Sequence, residues 1–224
     1  MPNRPYVVLS AASSIDGYID DATDQRLFLS NDEDFDRVDE VRASVDAILV
    51  GANTIRVDNP RLLVRSQERR DRRVAASLPF SPAKVTITST GDLSPAASFF
   101  TEGDIDKLVY TSAFEKTAAT LGEVATVIEA NDLHSVLRDL GDRGIERLMV
   151  EGGTTMHTQF LTAGLADELH LVIAPFFVGD PAAASFVAPG NFPHNSTRRM
   201  DLTEVRQIGD VVLLRYLLER AADD

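Results

Sequence analysis

Residues 46–65 read DAILVGANTIRVDNPRLLVR, and their order points to the architecture. The apolar run Ala47-Ile48-Leu49-Val50 suits a strand buried on both faces. It stops at Gly51, where small or hydroxylated residues follow, Ala52, Asn53 and Thr54. A charged, turn-prone tail then carries Asp58, Asn59-Pro60, Arg61 and Arg65. A strand that ends in glycine and releases backbone N–H groups is how α/β proteins hold phosphates. An acid and a base seven positions apart, Asp58 and Arg65, point to a polar, phosphorylated ligand in the same cleft. An ordinary strand, turn and loop would show the same letters, and this stretch alone does not separate the two readings.

Residues 147–156, RLMVEGGTTM, repeat the logic. An apolar strand runs into Glu151-Gly152-Gly153, and Thr154-Thr155 open a helix. Two glycines let a ligand approach backbone where any Cβ would collide. Thr154 and Thr155 can cap the helix and bond an anion at its positive end. Two such turns in one chain favour a ligand site over a plain strand-to-helix turn.

Outward from these turns, strand and helix patterns alternate. Strand-like runs lie at 6–12, 47–50, 85–88, 108–111, 124–128 and 148–150. Helical spacing appears at 32–43, where Phe35, Val38 and Val41 share a face behind the caps Ser30-Asn31. It recurs at 114–121, 133–140 and 155–163, the last closed by Gly164. After a strand at 169–174 comes a Pro/Gly-rich excursion, 177–194, and then 202–208 pairs with 211–218 across Gly209-Asp210. The pattern predicts an α/β fold with a mostly parallel central sheet, flanking helices and a C-terminal antiparallel hairpin, in one domain spanning 1–224. Residues 66–83 read as the longest irregular stretch, with Arg69, Arg70, Arg72 and Arg73 as its solvated face.

Composition narrows the function. The net charge of -13 argues against nucleic acid and anionic membranes as partners. With no cysteine, disulfides, thiolate zinc sites and cysteine nucleophiles are excluded. His134, His157, His170 and His194 lack metal-ligand spacing, so no metal is expected. His170 alternates with apolar residues and reads as half-buried and structural. No apolar leader or run of about 18 apolar residues occurs, and a soluble cytoplasmic protein is expected.

Taken together, these stretches resemble the pyrimidine reductase family of riboflavin biosynthesis. That family forms the C-terminal half of a bifunctional deaminase–reductase and has a dihydrofolate-reductase-like fold. The resemblance rests on 12–17 (ASSIDG), 42–65 (RASVDAILVGANTIRVDNPRLLVR), 151–154 (EGGT) and 171–179 (LVIAPFFVG), and extends over 5–218. It implies NADPH-dependent reduction of 5-amino-6-(5-phosphoribosylamino)uracil to the ribitylamino product, by hydride transfer to ribose C1′. By the same resemblance Gly51, Ala52, Thr54, Gly152, Gly153, Thr154 and Thr155 line NADPH. Asp58 and Arg65 hold ribose and phosphate, with Arg61, Ser30 and Asn31 as further substrate contacts. Asp58 and Glu151 are the expected catalytic residues, Glu151 near the reacting sugar. Thr88 and Ser89, after a strand, are candidates for the cofactor 2′-phosphate. A homodimer is expected too.

Two departures stand out. Ser10 occupies the place of a family lysine, and Asp58-Asn59-Pro60 replaces Asp-Asp-Pro. Ser10 leaves open a reductase of the same fold acting on dihydrofolate, or a catalytically silent nucleotide-binding module. The dihydrofolate reading needs a first-helix acid facing the ligand, for which Asp34, Asp36 and Glu40 compete. The H-x-E and C-x-x-C signatures are absent, so no deaminase domain is expected.

Overall fold

All five residues of Ala47–Gly51 are buried, as their continuous apolar run requires. The computed structural model describes residues 4–219 except Asp24 and Arg26. In chain order the elements are β1 (Tyr6–Ser14), α1 (Asp32–Ala43), β2 (Ala47–Gly51), α2 (Ala52–Asp58), α3 (Gln67–Ala75) and β3 (Ala83–Thr88). There follow α4 (Ser98–Thr101), β4 (Lys107–Thr111), α5 (Phe114–Leu121), β5 (Thr126–Glu129), α6 (Leu133–Asp142) and β6 (Arg147–Val150). The last are α7 (Thr154–Thr162), β7 (Glu168–Ala174), β8 (Asp201–Ile208) and β9 (Val211–Leu217). These elements form two compact units, one of residues 39–149 with the chain up to residue 5, the other of residues 6–38 and 150 onward.

In the first unit the strand order is β5-β4-β3-β2-β6, and β2, β3, β4 and β5 run parallel. Asp46 fastens β6 at its start. Its Oδ2 accepts the N–H groups of Glu146 and Arg147 at 2.9 Å each.

Contrary to the irregular stretch expected at 66–83, α3 occupies its first half. Ser66 caps that helix by accepting the Arg69 N–H at 3.4 Å. Of the arginine run only Arg72 is a solvated face, 56% exposed beside Glu40. Arg73 is buried, and its guanidinium donates to the carbonyls of Pro79 (2.8 Å), Ala43 (3.0 Å) and Val45 (2.8 Å). Arg69 reaches Glu40 at 2.6 Å and Asp39 at 3.0 Å. Arg70 donates to Val64 O at 2.6 Å and lies over the Phe80 ring. These side chains replace the apolar stripe that a helix ordinarily needs.

In the second unit β7 runs parallel to β1, β9 antiparallel to β7, and β8 antiparallel to β9. Its core includes Val172, Ile208, Val211 and Leu213. Asn31 caps α1 as expected, its Oδ1 accepting the Asp34 N–H at 2.9 Å. Its Nδ2 donates to Ile208 O and Asp210 Oδ1, both at 2.8 Å, pinning the start of α1 to the hairpin tip. Gly209 has φ +57°, and a Cβ there would stand 2.7 Å from Asn31 Nδ2, so the approach requires glycine.

The first-helix acids divide sharply. Asp34 is buried and paired with Arg37 Nε at 2.7 Å, whereas Asp36 and Glu40 are exposed. His170 is half-buried, as expected, and its Nε2 donates to Glu168 Oε1 at 2.6 Å. Burial pushes the Glu168 carboxyl up, but hydrogen bonds from His170, Arg215 and Tyr6 outweigh it and hold its pKa at about 2. A carboxyl depressed from 4.5 to about 2 stabilises the fold above 4.5 and loses that contribution as pH falls toward 2. Urea midpoints should therefore drop between those two pH values, and Glu168→Gln should flatten part of that drop. An unchanged slope in the variant would assign the acid sensitivity to other carboxylates.

Candidate active site

In the second unit, the candidate ligand turn follows β6. Gly152 adopts φ +110°, and a Cβ there would approach His157 Cε1 at 3.2 Å. The Gly152–Gly153 peptide is cis. Gly153 is the N-cap of α7, with no side-chain cap hydrogen bond. An N-terminus without a side-chain cap leaves its first-turn N–H groups to an anion, at the positive end of the helix.

The threonines do not cap, contrary to the sequence expectation. Gly153 already holds the N-cap position, so Thr154 and Thr155 are the first two helical residues. The Thr154 hydroxyl donates instead to the Ser185 carbonyl, while Thr155 is exposed. Glu151, at the head of the turn, is half-buried.

The excursion after β7 contributes a strap, residues 184–188. Ala184 O accepts the Ile19 N–H at 2.8 Å, and the Phe186 N–H donates to Gly17 O at 2.8 Å. The Ala188 N–H donates to Thr158 Oγ1 at 2.9 Å. Asp16 is more than a turn residue: its carboxylate accepts the Ser14 hydroxyl and the N–H groups of Val178 (3.1 Å) and Gly179 (2.8 Å). Ser14, first among these donors, holds the Asp16 pKa below the usual carboxylate value. Ser10 is buried on β1, opposite His170 of β7. Ser30 is half-buried beside Asn31, whose amide is committed to its cap and to the hairpin.

In the first unit, β2 passes directly into α2, a helix the sequence reading missed. Gly51 is its N-cap, Ala52 is buried and Thr54 half-buried. Asp58 is its last residue and is exposed. Asn59 ends the helix at φ 43°, and its Oδ1 accepts the Ser98 N–H at 2.7 Å. An aspartate could accept that bond equally, so the Asn-for-Asp departure keeps the anchor.

Arg61 and Arg65 both extend exposed side chains from the segment that follows. Asp39 clamps the end of that segment, accepting the Arg65 N–H at 2.5 Å and the Ser66 N–H at 3.0 Å. Asp58, Arg61 and Arg65 thus lie along one segment that is anchored through Asn59 at one end and Arg65 at the other. After β3, Thr88 is buried with its Oγ1 accepting the Gly91 N–H at 3.1 Å, and Ser89 is exposed. Among the described residues no His, Asp and Glu cluster could hold a metal, and no helix is long and apolar enough to cross a membrane.

Compared with known proteins, residues 5–214 match the RibD C-terminal domain. The chain belongs to the RibD C-terminal domain family.

Its relatives include proteins of similar length and longer, bifunctional ones. The chain is 36% identical over 222 residues to the 2,5-diamino-6-ribosylamino-4(3H)-pyrimidinone 5′-phosphate reductase of Methanothermobacter thermautotrophicus, covering 96% of this chain and 99% of the relative. The reductase of the same name from Archaeoglobus fulgidus is 35% identical over 182 residues, covering 79% of this chain and 83% of the relative. Among solved structures, the bifunctional deaminase/reductase of Thermotoga maritima superposes with TM-score 0.80 at 25% identity. That match covers 97% of this chain and 58% of the larger protein, so the RibD-like chain spans little more than half of the bifunctional one. A pyrimidine reductase-like protein of Corynebacterium diphtheriae has the same fold, with TM-score 0.80, 22% identity and coverage of 98% and 94%. The α/β fold with its mostly parallel strands and closing antiparallel hairpin is the one expected for this reductase family.

Proposed function

We propose that the chain is the pyrimidine reductase of riboflavin biosynthesis, reducing the ribosylamino group of 5-amino-6-(5-phosphoribosylamino)uracil to a ribitylamino group with NADPH. The observation that carries this reading is the Glu151-Gly152-Gly153 turn, whose glycines and helix end without a side-chain cap fit a pyrophosphate. When bound, the nicotinamide cofactor supplies the hydride.

The chain's own residues then bind, orient and exclude water. Gly152, Gly153 and the first turn of α7, with Thr154 and Thr155, hold the cofactor, as do Gly51, Ala52 and Thr54 at the end of β2. Thr88 and Ser89 take the 2′-phosphate that distinguishes NADPH. Asp58 holds ribose hydroxyls, or the protonated imine formed on ring opening, and Glu151 faces the reacting sugar. Arg65, helped by Arg61, grips the substrate phosphate through a bidentate fork, and Ser30 and Asn31 lie at the periphery.

Two relatives carry names for the 2,5-diaminopyrimidinone rather than the uracil. That favours a second reading, in which the same reduction precedes deamination. The substrates differ by an amino or oxo group on the pyrimidine. Offering both pyrimidines and dihydrofolate to the purified protein, and following NADPH oxidation, decides between them. Turnover of dihydrofolate alone would sink both pyrimidine readings.

Arg65→Ala should raise KM about tenfold or more for the phosphorylated pyrimidine and hardly at all for its dephosphorylated analogue. Equal effects on the two would remove Arg65 from the phosphate.

We further propose a cytoplasmic homodimer. The strand register puts Val205, Leu214 and Leu171 on one face, with Gln207, Val212 and Ile173 beside them. Leu202, Val205 and Val212 on that face are 52%, 62% and 37% exposed, an apolar surface that a second copy would cover. Light scattering should give twice 24.5 kDa for the wild type and 24.5 kDa for Val205→Arg. A wild-type monomer would dismiss the dimer.

A further inference from the structure

His157 takes no part in the chemistry above, yet it is 2% exposed and neither ring nitrogen has a hydrogen-bond partner. A buried polar ring without partners works against stability, so its retention calls for an explanation. Its position supplies one. His157 is the fourth residue of α7, and its N–H donates to Gly153 O at 3.1 Å. Helical side chains lean toward the N-terminus, which folds the ring back under the glycine turn. Its Cε1 and Nε2 lie 3.2 and 3.5 Å from where a Cβ on Gly152 would stand. The Phe186 ring lies 5.1 Å away, tilted by 49°. Phe186 belongs to the strap at 184–188, held to Gly17, Ile19, Thr154 and Thr158. The imidazole therefore packs against both the turn and the strap.

A buried ring cannot reach an anion, and burial also keeps it uncharged. It pushes the His157 pKa down to about 4, outweighing the upward pull of the Phe186 and Ser10 backbone, which lies near the ring without meeting hydrogen-bond geometry. The ring acts by shape.

We propose that His157 is a positioning residue whose neutral ring fixes the Gly152–Gly153 turn and couples it to the 184–188 strap, so that cofactor binding at the turn and ordering of the strap rise and fall together. This rests on the turn being the cofactor site.

The test measures NADPH dissociation constants by fluorescence titration and amide hydrogen exchange at Phe186 and Ala188, both without turnover. NADPH should slow exchange at both amides in the wild type. His157→Ala should weaken NADPH binding about tenfold and abolish that protection, whereas His157→Phe, which keeps an aromatic ring there, should bind within about threefold of wild type. Phe186→Ala removes the contact from the strap side and should weaken binding like His157→Ala, which covers the case of an unfolded His157→Ala protein. Unchanged affinity in Phe186→Ala, or in a folded His157→Ala protein, would overturn the coupling. So would a wild-type affinity that falls as pH rises through about 6.5, the mark of an imidazolium ligand. A wild type that binds no nicotinamide cofactor would bring down the cofactor reading and this inference together. Wild-type binding with indifferent variants would bring down this inference alone.

Discussion

Asp58→Ala should lose most turnover while keeping its grip on NADPH. The carboxylate stands exposed at the last residue of α2, next to Asn59, whose side chain accepts the Ser98 N–H. If it stabilises positive charge developing at the sugar, the loss falls on the transition state and lowers kcat/KM by about 10²–10⁴. The cofactor dissociation constant should stay within about twofold, because Asp58 is assigned to substrate alone. Steady-state kinetics at saturating NADPH, set beside a fluorescence titration, separates these effects. Wild-type turnover in the variant would exclude Asp58 from the site, and a parallel loss of NADPH binding would move it to the cofactor.

Arg73→Ala should produce the largest loss of stability. One guanidinium satisfies the carbonyls of Ala43, Val45 and Pro79, and the side chain is 4% exposed. Deleting it strands buried acceptors and opens a cavity, with an expected loss of about 3–5 kcal/mol in urea unfolding. Arg73→Met should recover part of that by refilling the space while leaving the carbonyls unpaired. A loss below about 1 kcal/mol in the alanine variant would mean that water replaces the guanidinium at low cost.

The same arginine shows where the sequence stops being readable. Helix α5 was predicted with the bounds it has, and α1 with its Asn31 cap, because their signals lie within a turn or two of chain. Helix α3 was read as a loop because arginines bonded to distant carbonyls perform the packing, and no hydrophobic period records that. Helix α2 was hidden by the Asn59-Pro60 pair just beyond it, which looks the same as an ordinary turn.

The site divides in the same way. The candidate residues, from Asp58 to Arg65 and from Glu151 to Thr155, stand out in the sequence through their resemblance to the family's motifs. Their supports do not. Asp39 clamps the backbone of Arg65 and Ser66 across 26 and 27 residues, and Asp16 clamps Val178 and Gly179 across 162 and 163. An acid that serves a remote backbone has no local signature. The burial of His157 is likewise a property of the fold alone.

The arginines of α3 also shape how the molecule looks to an approaching ion. Pairing Arg69 and Arg72 with Asp39 and Glu40, and turning Arg73 inward, leaves the total of -13 unchanged but weakens the positive lobe that four nearby arginines would otherwise present. A sugar phosphate therefore meets a surface that is repulsive at long range, with relief where Arg61 and Arg65 stand exposed. Capture of such an anion becomes short-sighted: attraction begins only at distances comparable to a Debye length, about 8–10 Å at ordinary salt. The protein filters charged metabolites by contact geometry rather than by drawing them in from afar.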